Sequence, residues 1–257
     1  MTNIAIVTGA SSGLGREIVR QLEGGAFGRL DQVWTVSRRA EKTSRLVRPF
    51  ALDLTDPASF DVLGDALAQT PDAHVALLVN NAGFGTFGDF ADMPGRDNAD
   101  MVRLLMLAPV ELTYRALPYM AAGSRVLNVA SVAAFMPQPG LATYSAAKRF
   151  VLDFSRALDA ELGEVGIHVT VLCPKFMRTG FLDHAGADDV AAKMSRLTGF
   201  EDVARVAERG LEAARKGRAL CIPSPDMRAL YAATKLLPYP LALSVERALL
   251  LHERGRA

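Results

Sequence analysis

The chain has 257 residues, half of them hydrophobic, and a formal net charge of +1. That length suits one α/β domain with an ample core, and the near-neutral balance excludes a global field for nucleic acid or an anionic membrane. No uninterrupted apolar segment is long enough to span a bilayer as a helix.

In chain order, the apolar run Ile4-Ala5-Ile6-Val7 predicts a buried strand over residues 3–8. Gly9-Ala10-Ser11-Ser12-Gly13-Leu14-Gly15 follows, and residues 13–23 then place Ile18, Val19 and Leu22 at helical spacing. Strand, glycine turn and helix in that order are the context a nucleotide-phosphate loop requires. Glycines let the backbone approach a pyrophosphate closely, and the helix N-terminus stabilises its charge. The spacing is G-x-x-x-G-x-G, not the commoner G-x-G-x-x-G, and an ordinary glycine-rich turn is the alternative.

Further strands are predicted at 32–37, 48–52, 74–79, 125–130, 168–173 and 219–222. Helices are predicted at 57–69, 96–120, 143–163 and 202–216. This alternation argues for a parallel sheet covered on both faces. The connection 24–31 is longer than such units usually need, and 38–47 leaves space for only a short helix. No internal repeat or low-complexity linker interrupts the chain, so one domain is expected over residues 1–257. The N-terminus passes straight into the first strand with no signal-peptide pattern. Cys173 and Cys221 sit in apolar, strand-like runs. Reduced buried thiols, no disulfide and a cytoplasmic location are the expectation.

In an open parallel sheet the ligand sits at the carboxyl ends of the strands, where the winding order reverses. The loop 9–15, Asn81, Ser131 and the segment after Cys173 all belong on that edge. Tyr144 and Lys148 lie four residues apart, on one helix face. A nearby cation lowers the pKa of a phenol from about 10, which makes it a usable proton donor near neutral pH. Such a pair arises by chance on surface helices, but here it stands with Ser131 and the glycine loop.

These motifs together resemble the short-chain dehydrogenase/reductases over at least residues 3–223. Thr8-Gly9-Ala10-Ser11-Ser12-Gly13-Leu14-Gly15 looks like the family's cofactor loop, and Asn80-Asn81-Ala82-Gly83 like its second signature. Ser131, Tyr144 and Lys148 look like its catalytic residues. The resemblance implies a single-domain α/β fold, a Rossmann-like doubly wound parallel sheet of about seven strands. It also implies cofactor contacts from Gly9, Ser11, Ser12, Gly13, Leu14, Gly15, Asn81, Ala82, Gly83, Pro174 and Thr179, with Lys148 holding the nicotinamide ribose. Asp53 matches the family's adenine-contacting acid, with Leu54 beside it; a cap for the next segment is the other reading of Asp53. No metal site is expected.

The strand at 32–37 ends in Ser37-Arg38-Arg39, with no carboxylate between Gln32 and Ala40. An acid at this place holds a ribose 2′-hydroxyl, whereas Arg accommodates a 2′-phosphate, so NADP(H) is favoured over NAD(H). A solvated helix start is the alternative for Arg38 and Arg39. The chemistry implied is hydride transfer between the nicotinamide and a carbonyl or secondary alcohol. Tyr144 would supply the proton and Ser131 would polarise the oxygen.

Two departures from the family pattern stand out. Leu105 aligns with the Asn that helps hold a relay water, and Lys175 stands where Pro-Gly is usual. Either weakens the chemistry or is tolerated drift. A lid at about 175–200, with Phe176, Met177, Phe181, Leu182, Met194 and Leu197, and the loop 133–141 suggest a lipophilic ketone. Plain packing of the lid is the other reading. Rival functions are a 3-oxoacyl-carrier-protein or pteridine-type reductase, or an NADP(H)-binding sensor with little turnover. The tail at about 226–254 reads as two apolar helical segments, around 230–237 and 241–251, that cover the site's rim or a partner subunit. The helices at 96–120 and 143–163 look like those that make family members homodimers or homotetramers.

Overall fold

The computed structural model describes residues 1–39, 44–179 and 199–236. Seven strands form one parallel sheet: β1 (Thr2–Thr8), β2 (Gln32–Ser37), β3 (Val47–Ala51), β4 (Ala73–Asn80), β5 (Arg125–Val129), β6 (His168–Leu172) and β7 (Leu220–Cys221), in the order β3-β2-β1-β4-β5-β6-β7. The order reverses between β1 and β4, and the crevice at their carboxyl ends is the place where such sheets bind nucleotides. The helices are α1 (Gly13–Glu23), α2 (Ala58–Ala68), α3 (Gly95–Val102), α4 (Ala108–Ala116), α5 (Ala142–Leu162), α6 (Val203–Arg215) and α7 (Pro225–Leu236).

Residues of β1 alternate between two cores because successive side chains leave a strand on opposite faces. Ala5 and Val7 pack with Leu14, Ile18, Leu211 and Ala214 of α1 and α6. Ile4 and Ile6 pack with Leu63, Leu67, Leu112 and Ala116 of α2 and α4. A sheet covered on both faces needs strands that are apolar throughout, and this is what the continuous hydrophobic runs encode. Pro49 lies in β3, the sheet's edge strand, where a missing N–H leaves no ladder bond unmade.

The single helix expected over 96–120 is interrupted. After α3 the chain widens into a π-turn at Arg103–Leu107, resumes as α4, and tightens into a 3₁₀ turn at Leu117–Tyr119. Pro109 is the physical cause. It has no N–H to offer the carbonyl four residues back, and its ring would clash there, so the preceding turn opens to admit it. The residue four positions back is Leu105.

The tail differs as well. Its first helix begins at Pro225, earlier than the apolar pattern indicates, because proline is well suited to a first helical turn. Met227 is buried and Tyr231 packs its ring 4.8 Å from that of Phe135, so α7 covers the sheet near β7. The expected segment 241–251, and Phe181, Leu182, Met194 and Leu197 of the expected lid, lie outside the described residues. No helix among the described residues is long and apolar enough to cross a membrane.

Candidate active site

The loop after β1 and the loop after β4 are bound to each other. The Thr8 hydroxyl accepts the backbone N–H groups of Asn81 and Ala82, each at 2.9 Å. The Asn81 amide donates back to the carbonyls of Thr8 (2.9 Å) and Gly9 (3.3 Å). A Cβ on Gly15 would lie 2.3 Å from the Gly9 oxygen and 2.6 Å from the Asn81 amide, so no other residue fits there. Gly13 has φ of 52°, and its Cβ would meet Thr179 at 3.1 Å. Glycine at 9 and 15 therefore serves the packing of the loop on Asn81. The close backbone approach expected of this loop falls at Gly13, where Thr179 comes in from the far side of the crevice.

Ser12 precedes α1 in extended conformation. It makes no side-chain cap, and the first turn holds no acid. The amide groups of that turn carry the helix's partial positive charge, so the turn is suited to an anion. At the end of β2, Ser37 donates to the Arg39 carbonyl at 2.6 Å, and Arg38 and Arg39 are both exposed. Asp53 is exposed too, and its Oδ1 accepts both the N–H and the hydroxyl of Thr55, at 2.9 and 2.8 Å. The Thr55 backbone bond is the main reason its carboxyl is held below the ordinary value, with Arg38 a smaller contributor. Leu54 is buried behind it.

Ser131, Tyr144 and Lys148 converge at the same edge. Ser131 ends β5's extension in extended backbone and accepts the Ala133 N–H at 3.2 Å, which starts the turn Val132–Ala134. Tyr144 is 8% exposed and Lys148 is 5% exposed, one turn apart on α5. The Tyr144 phenol is pushed up to about 12 by burial, and a hydrogen bond from the Ser131 hydroxyl opposes that shift. Lys148 is pushed down to about 8, again by burial. The lowering of the phenol's pKa expected from Lys148 does not outweigh burial here. The ammonium lies 5.7 Å from the phenol ring centroid and donates instead to the Val129 carbonyl at 2.8 Å. Desolvation outweighs a cation at that range, because both groups lose water at once.

Leu105 sits on the π-turn, 1% exposed, among Met101, Ala133, Leu141, Tyr144 and Ala147. Its Cδ2 lies 2.8 Å from where a Cβ of Gly83 would be, and the Lys148 ammonium is 3.8 Å from that same point. Leu105 and the Lys148 ammonium thus both border Gly83. Lys175 brings no bare charge to the site. Its ammonium pairs with Asp226 at 2.8 Å and its backbone N–H donates to Glu201 at 2.9 Å. The Pro174 carbonyl accepts the Val132 N–H at 3.0 Å, which ties the two substrate-side segments together.

Some neighbours were not foreseen. Cys173 lies beneath the site, its thiol raised to about 12 by burial and in the field of Lys148. It packs on the α5 side of the sheet while Cys221 packs on the α1 side, so the two free thiols face apart. Phe84 and Phe87 pack against the cluster that holds Tyr144, and Phe90 is 63% exposed nearby in sequence. Their signal was a phenylalanine at every third position immediately after Asn80-Asn81-Ala82-Gly83.

The switch-point crevice, its glycine loop and its acid-free helix N-terminus define a dinucleotide-binding α/β architecture. Over residues 3–189 the chain matches the family described as short chain dehydrogenase, and it belongs to that family. "Probable oxidoreductase EphD" of Mycobacterium tuberculosis is 28% identical over 260 residues, which take in 91% of this chain and 43% of that protein. "Very-long-chain 3-oxoacyl-CoA reductase" of Laccaria bicolor is 32% identical over 239 residues, 86% of this chain and 60% of that one. The chain spans about half the length of these curated relatives. A crystal structure of a short-chain dehydrogenase from Streptomyces avermitilis matches with a TM-score of 0.76 and 26% identity, over 100% of this chain and 99% of that one.

Two measurements follow from this geometry. Leu105→Asn buries an amide among apolar side chains, so the urea midpoint should fall by the equivalent of about 1–3 kcal/mol. An unchanged midpoint would mean that a polar partner stands ready there. For Lys148, the folded value near 8 lies below the unfolded one. From pH 8 up to the ordinary lysine range near 10.4, the unfolded chain holds a proton the folded chain has released, so stability rises with pH through this group. The melting temperature of the unmutated protein, taken relative to Lys148→Met, should rise with pH across that window. A difference that stays flat would contradict desolvation of the ammonium.

Proposed function

We infer that the chain is an NADP(H)-dependent oxidoreductase that interconverts a carbonyl compound and a secondary alcohol, acting as a reductase on a lipophilic ketone. The observation that carries this reading is the hydrogen-bonded Ser131–Tyr144 pair with Lys148 one turn further along α5. Tyr144 and Lys148 are buried and Ser131 is half-buried, at the carboxyl edge of the sheet.

The residues present fit the cofactor. The uncapped N-terminus of α1, with Ser11, Ser12, Gly13, Leu14 and Gly15, suits the pyrophosphate. Arg38 and Arg39 suit a 2′-phosphate, and they carry no ion pair among the described residues. Asp53 and Leu54 would flank the adenine. Asn81, Ala82, Gly83, Pro174 and Thr179 would line the rest, with Lys148 on the ribose hydroxyls. NADPH, when bound, supplies the hydride.

The chain's own residues handle the oxygen and its proton. Ser131 orients and polarises the carbonyl, and Tyr144 delivers a proton to the oxygen as it gains charge. Burial keeps the phenol protonated throughout neutral pH. A protonated phenol is the form from which reduction starts, and donation leaves the same phenolate from which oxidation would start, so the direction proposed rests on the NADP(H) reading. Lys148 then stabilises the phenolate left behind.

Phe84, Phe87, Leu141 and Met106 around Tyr144 support an apolar substrate. A 3-oxoacyl thioester is the second reading, favoured by the similarity to the Laccaria protein of that named activity. A homodimer or homotetramer belongs to the same proposal. Its support is Val102 on α3, Leu107 on the π-turn and Tyr114 on α4, exposed by 43%, 41% and 73%.

A panel of ketones and 3-oxoacyl thioesters, followed by NADPH absorbance, tests the proposal; turnover of none of them would overturn it. Tyr144→Phe should cost on the order of a hundred- to ten-thousand-fold in kcat while cofactor affinity persists. A Phe variant with most of its activity would point to a different acid. Arg38→Asp should weaken NADPH binding far more than NADH binding, measured by fluorescence titration. Equal affinity of the unmutated protein for both cofactors would sink the 2′-phosphate assignment.

A further inference from the structure

Lys175 is joined to more of the site's surroundings than its place in the chain suggests. It follows Pro174, where the chain leaves the sheet beyond β6. Its backbone N–H is held by the Glu201 carboxylate at 2.9 Å, and the Glu201 N–H is itself bonded to the Phe176 carbonyl at 2.8 Å. Met177 and Glu201 form a parallel bridge, so the two ends of the segment between them are clasped at its base. The Lys175 side chain is only 10% exposed, and its ammonium reaches Asp226 in the first turn of α7 at 2.8 Å. One residue on, Met227 is buried, and Tyr231 packs its ring at a tilt of 54° against Phe135 of the loop that follows Ser131.

We propose that Lys175 is a positioning residue that fastens α7 across the Ser131 loop, so that the Lys175–Asp226 ion pair sets the outer wall of the substrate pocket. Exposed ion pairs contribute little, but here one partner is almost fully packed, so few rotamers are lost when the pair forms. Asp226 also sits at a helix N-terminus, where a carboxylate is favoured whether or not the lysine is present. The aspartate is therefore in place before the pair forms, and the lysine decides whether α7 is held to the site. The consequence for substrates rests on the reductase reading: a small ketone needs only Ser131 and Tyr144, whereas a bulky one leans on the wall.

Hydrogen–deuterium exchange on the full chain with NADPH tests the coupling independently of turnover. Lys175→Met and Asp226→Asn should each speed exchange in residues 225–236 and also in residues 132–141, by roughly three- to tenfold. The double variant should be no worse than either single, and Lys175→Arg should restore protection. Unchanged exchange in 132–141, or purely additive effects of the two changes, would overturn the proposal. Asp226→Asn, at an exposed carboxylate, keeps the test available if Lys175→Met fails to fold. With cyclohexanone and benzophenone as probes, KM for benzophenone should rise several-fold in Asp226→Asn while kcat for cyclohexanone holds. If neither ketone is turned over, the reductase reading is weakened and the exchange result still decides the role of Lys175.

Discussion

The knot between Thr8 and Asn81 is the constraint on which the site depends. A parallel sheet that reverses its winding leaves a gap between the two strands at the switch, here β1 and β4. Two loops leave that gap; the Gly9 N–H still meets the Val36 carbonyl of β2, but the first N–H groups of the loop after β4 turn to a side chain. The Thr8 hydroxyl satisfies two of them, and the Asn81 side chain answers with donors to Thr8 and Gly9. Gly15 then closes over this knot so tightly that a single methyl would strike the Gly9 oxygen. The direction of α1, and so the position of its positive end, follows from how these few bonds set the loop.

The second organising feature is dryness. Tyr144, Lys148 and Cys173 are each buried, and burial drives each of them toward its neutral form. The lysine relieves its loss of water through the Val129 carbonyl instead of through the phenol. Leu105 reinforces this, since it adds hydrocarbon to the cluster that packs around Tyr144. The π-turn that carries it is traceable to Pro109 in the next helix, so a backbone accommodation and the polarity of the site share one origin.

Much of this was legible in the sequence because it depends on local periodicity. Buried strands read as unbroken apolar runs, and α1 was bounded correctly by its glycine turn and its Ile18, Val19 and Leu22 spacing. The break at Arg103–Leu107 was not read, although Pro109 was in plain view, because the apolar pattern runs on through it. The start of α7 at Pro225 was missed for the opposite reason: its first turn is polar, and only its later residues carry the apolar signal.

The sequence by itself determined the doubly wound sheet and the family, and it singled out Ser131, Tyr144 and Lys148, because each follows from residue type at short, fixed spacing. Only the tertiary structure decided what surrounds them. Whether Lys148 faces the phenol or a carbonyl, whether Lys175 brings a bare charge or a paired one, and whether Leu105 meets water or Gly83 all depend on residues distant in the chain: Val129, Asp226 and Gly83. Electrostatics and desolvation act through space, and a linear sequence carries no record of which groups share a dry volume until the sheet has closed over them.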